Sequence, residues 1–289
     1  MKQTLTFCCA LAVAALFGAH AMSGQSAADR KDWQQIFNGR NLDGWTPKIR
    51  HYPLGENFND TFRVENGVLK VSYDKYDTFE ERFGHLFYRE KFSYYIIAAE
   101  YRFAGEQVKG APAWAIRNNG LMLHSQAPET MGLDQDFPIS IEAQLLGGGP
   151  EGSPARPTLN VCTPGTDIFR NGMKVGSHCT NSTSPTFYGE QWVRVEVEVH
   201  GGEHITHRVD GKSVLEYDQP TIGGGSVSGH DPAVKKDGTL LTEGYITIQG
   251  ESAPTEFRKI EVLNLSGCMD PKSAKFKSYY VHRDDTKCQ

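Results

Sequence analysis

Between Phe137 and Gly149 the sequence reads FPISIEAQLLGGG. Strand alternation puts Ile139, Ile141, Ala143 and Leu145 on one face and Ser140, Glu142 and Gln144 on the other. A carboxylate beside an amide in so apolar a strand is either a solvated sheet face or a ligand-binding one. Other segments repeat the mixture. APAWAIRNNGLMLHSQ supplies Trp114, Arg117, Asn118, Asn119 and His124, and TLNVCTPGT supplies Asn160 and Thr163. GYITIQGES sets Tyr245, Thr247, Gln249 and Glu251 on one face. Aromatic rings cover the C–H face of a pyranose while amides and carboxylates bind its hydroxyls in opposed pairs, so such a face suits a carbohydrate. Each residue also has a structural reading. His124 can be a hydrogen-bonded core histidine, Arg117 to Asn119 a polar turn, and Trp114 and Trp192 core residues. Glu198, His200 and Glu203 have metal-ligand types but lie on an alternating strand and hairpin that reads as exposed.

The elements that must position these residues are strands. FRVENGVLKV carries Asn66-Gly67 between apolar runs and ITHRVDGKSVLEY carries Asp210-Gly211, both strong hairpin signals. WVRVEVEVH alternates Val193, Val195, Val197 and Val199 against Arg194, Glu196, Glu198 and His200. No segment has the period of a long amphipathic helix. Many short strands separated by turn signals imply an all-β fold of two antiparallel sheets packed face to face. The runs GGGPEGSPARPT and DQPTIGGGSVSGHDPAVKKDG are long Gly/Pro loops of the kind that form binding rims.

With a net charge of −5 and no basic stripe, the chain of 289 residues is not expected to bind nucleic acid. Leu5 to Phe17 is an apolar run followed by Ala19-His20-Ala21, the pattern of a signal peptide over residues 1–21. No other stretch approaches the roughly 18 apolar residues of a membrane span, so a periplasmic or secreted protein without a transmembrane segment is expected. Residues 22–31 read as a disordered stub, 32–267 as the sandwich and 268–289 as a C-terminal extension. Past the leader the cysteines are Cys162, Cys179, Cys268 and Cys288, an even set that favours disulfides in an exported chain. Pairing 162 with 179 and 268 with 288 is the simplest of three connectivities. The rival is a metal site at Cys162, His178 and Cys179, which lacks the usual C-x2-C spacing.

The segments RNNGLMLHSQ, QDFPISIEAQLLGG, NVCTPGT, HCTNSTSPTFYGEQWVRVEVEVHG and GYITIQGESAPTEFRKIEVLNL, in this order, resemble the 3-keto-disaccharide hydrolase family over roughly Trp33 to Leu265. The resemblance implies a concanavalin A-like jelly-roll sandwich, export by a glycan-degrading bacterium and a substrate oxidised to a ketone at C3. Such a ketone acidifies the C2 hydrogen, so a base can form an enolate that expels the C1 substituent before water adds. Glu142 or His124 could be the base. Arg117, Gln144, Asn160 or a bound divalent cation could be the electrophile. Trp114, Asn118, Asn119, Gln249 and Glu251 are further substrate-binding candidates. Two readings stay open beside this one. A conventional glycosidase could use Glu142 with Glu251 as its carboxylate pair, and a non-catalytic carbohydrate-binding module could share the fold.

Overall fold

The computed structural model describes residues 30–289. The predicted leader and residues 22–29 of the predicted stub lie outside the described residues, and Arg30–Asp32 forms one 3-10 turn. The body is an all-β jelly-roll sandwich. The smaller sheet has seven strands in the order Cys179–Thr180, Asn160–Cys162, Ile141–Leu146, Asn118–Ser125, Gly244–Gly250, Gly84–Phe92 and Trp45–Ile49. Pro47 sits in the last of these, an edge strand, where a missing N–H costs no ladder bond. The larger sheet has ten strands, with Tyr94–Phe103 flanked by Val193–His200 and Thr255–Asn264 at its centre.

Alternation builds the core. Val193, Val195, Val197 and Val199 are buried with Ile97, Ala99 and Tyr101 of the neighbouring strand. Against them pack Leu121, Leu123, Ile141, Ala143, Leu145, Ile246 and Ile248 of the smaller sheet. Asn66 and Gly67 have φ of 53° and 80°, and Asp210 and Gly211 have 48° and 75°. Both pairs hold the left-handed conformation that a two-residue hairpin turn requires. The Glu198 group is structural: Glu198 takes bonds from His200 and Arg208, and Tyr94 donates to Glu203.

The cysteines pair as 162–179 and 268–288. Sulfurs joined to each other are not thiolates, so the metal reading of Cys162, His178 and Cys179 is set aside. The second disulfide closes the C-terminal segment, in which His282–Arg283 pairs in parallel with Ser266–Gly267. Tyr279, Tyr280 and Val281 there pack with Trp33, Tyr94, Ile96, Leu263 and Leu265. The segment thereby covers an apolar patch on the outer face of the larger sheet. Among the described residues no helix is long and apolar enough to cross a membrane.

Candidate functional site

The outer face of the smaller sheet carries rows of polar side chains set by strand register. Met122 pairs with Glu142, Glu142 with Cys162, Gly120 with Gln144 and Gln144 with Asn160. On the other side Thr247 pairs with Met122 and Ile248 with Leu121, which carries Gln249 beside Gly120 and Glu251 beside Asn118. Gly120 has no side chain, and Glu142 lies across the space this leaves. A Cβ at Gly120 would fall 2.7 Å from both Cγ and Oε1 of Glu142.

Asn118, Glu142, Gln144 and Glu251 form the floor of a cleft of about 480 Å³, a size usual for small-ligand sites. One wall is aromatic. Trp114 is 56% exposed at the mouth and stacks on Phe83 at 6.4 Å with 12° between the rings, and Phe83 meets Phe137 at 4.8 Å. The opposite wall is the Cys162–Cys179 disulfide with Pro164 and His178. Two loops meet over the top, where Asp136 accepts from the Ser228 N–H at 2.8 Å and from its hydroxyl at 2.7 Å.

Buried polar atoms without partners gather on this face. Among the described residues they include Asn118 Oδ1, Glu142 Oε1, Glu251 Oε2, both amide atoms of Gln249 and His85 Nε2. Each such group costs about 1–3 kcal/mol unless something fills it, so a concentration of them points to a bound polar molecule. Burial raises the Glu142 carboxyl above its ordinary range. Burial, and then the charge of Glu142, pushes Glu251 well above it too. The two carboxyls lie close enough that the charge of Glu142 opposes ionisation of Glu251. The polar row continues past Gln249 to His85 and Lys48, cross-strand partners on the same face, with Phe137 edge-on to His85 at 5.9 Å. Burial, then the Lys48 charge, lowers His85 to about 3, and burial lowers Lys48 to about 8.

Not every predicted residue reaches the cleft. His124 does not: the register Tyr245↔Ser125 followed by Thr247↔Met122 leaves two residues opposite Ile246. At this bulge His124 takes φ of 49° and leaves the alternation. Its ring turns toward the larger sheet, where Nε2–H donates to the Gly201 carbonyl at 2.9 Å and the ring lies edge-on to Tyr95. Burial lowers it to about 4, so it is a neutral core histidine. Asn119 has the opposite parity to Asn118 and points inward, donating to the Gln249 carbonyl at 2.6 Å. Arg117 turns away at φ of 42° and binds the Gly189 carbonyl. Asn160 is buried behind Gln144, donating to its Oε1 at 3.1 Å and accepting from Ser182 N–H. Trp114 is no core residue, and Trp192 lies between the guanidinium groups of Arg102 and Arg258. Sequence reasoning did not single out Asp136, Phe137 or Ser228 because they sit in loops, although it read the loop that carries Ser228 as a binding rim, and it named His178 only in the metal alternative. The GGGPEGSPARPT loop instead borders a separate hollow beside Tyr188.

No curated protein matches the chain. Solved structures similar to it include a provisionally assigned glycosyl hydrolase from Parabacteroides distasonis, at 18% identity and a TM-score of 0.48 over 81% of this chain and 99% of that one. A carbohydrate-binding module from Bacillus subtilis is similar at 10% identity and a TM-score of 0.40, over 81% and 96%. A beta-glucanase from Bacillus licheniformis is similar at 11% and 0.42, over 80% and 97%. Residues 32–263 match the family described as the 3-keto-alpha-glucoside-1,2-lyase-like domain. A match over most of its length places the chain in that carbohydrate-active family.

Proposed function

We propose that the chain cleaves glycosides oxidised at C3, with Glu142 as the base that takes the C2 proton. The observation that supports this reading is the pair of buried carboxyls, Glu142 and Glu251, in one sugar-sized cleft with an unpartnered oxygen on each. Loss of the C2 proton leaves its electron pair in an enolate whose charge rests on O3. The enolate re-forms the ketone as the C1–O bond breaks, giving an enone and an alkoxide that takes a proton from the neutral member of the pair. Water then adds at C1 with a proton at C2, so the net change is hydrolysis. A raised pKa suits this work, because a base near working pH removes a carbon acid's proton better than an ordinary carboxylate does. Asn118 and Gln144 stand beside the pair as hydroxyl or enolate ligands, and Trp114 offers a ring face at the mouth. The two carboxylates are also hard oxygen donors of the kind a divalent cation prefers. Glu142 and Glu251 would hold such an ion, and it would supply Lewis acidity toward the ketone.

A binding module has no need for two buried, unpartnered carboxyls with raised pKa on its floor, which favours the enzyme over the lectin-like alternative. The test is to incubate the protein with a methyl 3-keto-glucoside, with and without chelator, and follow glycone release. Glu142→Gln keeps the size of the side chain but cannot take a proton. It should lower turnover by about a hundred- to ten-thousand-fold with the circular dichroism spectrum unchanged. Binding of the ketone without turnover by the wild type would instead assign the module reading.

A further inference from the structure

Cys162 and Cys179 face each other as register partners on neighbouring strands, with their Cα atoms 4.1 Å apart. The strand Cys179–Thr180 is the outermost of the smaller sheet, and Cys179 is exposed while Cys162 is buried. A thiol can therefore reach the bridge from the Cys179 side. Contacts that do not involve sulfur hold the segment around Cys179. Val175 N–H donates to the Ile168 carbonyl at 2.9 Å, and the N–H and hydroxyl of Thr163 both donate to the His178 carbonyl, at 3.0 and 3.1 Å. Thr180 pairs with Val161, and Ser182 N–H donates to Asn160 Oδ1 at 2.9 Å. Breaking the S–S bond thus leaves two cysteine side chains facing each other across an intact ladder. A ring nitrogen of His178 and the two sulfurs all lie within 4.8 Å of one another, and among the described residues no other three such donors come together in this way. In a four-coordinate zinc site, with bonds of about 2.3 Å to sulfur and about 2.0 Å to nitrogen, donor atoms stand roughly 3.3–3.8 Å apart. Once unbonded, the sulfurs need only turn about their Cα–Cβ bonds to reach that spacing.

We infer that reduction turns this wall of the cleft into a binding site for a soft divalent cation of the zinc class, with Cys162, Cys179 and His178 as ligands and the fourth position open to the cleft. A thiol attacks the Cys179 sulfur and Cys162 leaves as a thiolate. A second thiol then displaces Cys179 and carries off the first as a disulfide, so two electrons pass from the pair of thiols to the bridge. The cation binds both sulfurs as thiolates with release of their protons, and neutral imidazole is the third ligand. The two cysteines stand 17 positions apart in the chain. Cross-strand pairing supplies the adjacency that a C-x2-C turn supplies elsewhere. Oxidised, the same sulfurs have no thiolate to offer, so thiols decide whether this wall is closed by a covalent bond or by an ion. Cys162 is also the cross-strand partner of Glu142, which sets the ion at the edge of the cleft floor. The site stands whether or not the chain cleaves the ketone.

The test titrates cobalt(II) into the full chain, oxidised and after reduction with a phosphine in the absence of oxygen. The reduced protein should keep its circular dichroism spectrum and develop the thiolate-to-cobalt charge-transfer band with the intense visible bands of four-coordinate cobalt, and the oxidised protein should show neither. Reduction also frees Cys268 and Cys288, so the variant carrying Cys162→Ser and Cys179→Ser, which keeps those two thiols, should lose the spectrum. His178→Ala should weaken cobalt binding by about tenfold or more, since even a group behind a metal ligand is worth that factor. A spectrum that persists in the double variant, or an affinity unmoved in His178→Ala, overturns the site. So does a reduced wild type that shows no such bands or loses its circular dichroism, because the ligand set requires the ladder to outlast the bond.

Discussion

Glu142 and Glu251 hold their protons more tightly in the folded protein than an ordinary glutamate at 4.5, because both are buried and Glu251 also feels the charge of Glu142. A carboxyl whose folded pKa is raised contributes stability that is complete below the unfolded value and is lost as pH rises through the folded one. The chain should therefore lose stability as pH rises from the ordinary glutamate value through about 8, to which burial raises Glu142, and Glu142→Gln should flatten that slope because one of the two charges can no longer form. Urea unfolding across this range measures it, and parallel slopes for wild type and variant would show that the pair is not buried together. Histidine carries the opposite sign. Burial lowers His85 to about 3 and both His124 and His207 to about 4. Their contribution is present above the ordinary histidine value and disappears as pH falls through those lowered values. His124→Gln should then reduce acid sensitivity and thermal stability while leaving turnover of the ketone near that of the wild type, since the ring faces the core.

Among the elements, the strand Asn118–Ser125 decides most about the site, through a glycine at one end and a bulge at the other. Gly120 leaves the space that Glu142 occupies, so Gly120→Ala should push the carboxyl out of place with the ladder intact. A displacement near 1 Å in a catalytic group costs on the order of a hundredfold. Turnover should fall by about that factor while the unfolding temperature changes by no more than a few degrees, as steady-state kinetics and a thermal melt would show. The bulge needs glycine on its partner strand, since a Cβ at Gly244 would lie 2.4 Å from the His124 carbonyl carbon. In the sequence, Leu121-Met122-Leu123-His124 reads as unbroken alternation with the histidine on Met122's side. Nothing in the residues themselves announces the slip, which is a property of the pairing with Gly244–Gly250.

At the scale of the whole molecule, the cleft and the C-terminal segment lie on opposite outer faces of the sandwich. The segment hides Tyr94, Ile96, Leu263 and Leu265, and its disulfide closes a short loop of a size that stabilises by about 3 kcal/mol. Removing residues 268–289 should lower the unfolding temperature and expose a patch that binds a hydrophobic dye. Turnover per folded molecule should survive, because no residue of the cleft belongs to that segment. Loss of activity with an unaltered melt would contradict this division.

The sequence by itself determined the class of fold and the facing of its best strand. Asn66-Gly67 and Asp210-Gly211 announced hairpins, Val193 to Val199 announced a core face, and the parity of Glu142, Gln144, Gln249 and Glu251 put them on the outer face where they are found. These are local properties, since a strand's period of two is written within a few residues. Only the tertiary structure decided that Glu251 lies beside Asn118, close enough to feel Glu142, that the Cys162–Cys179 bridge forms a wall, that Asp136 and Ser228 close the rim, and that His124 and Asn119 turn to the core. Each of these depends on the register between segments far apart in the chain or on where two loops meet. A one-residue slip in register reverses the facing of every side chain beyond it, and no local pattern records that.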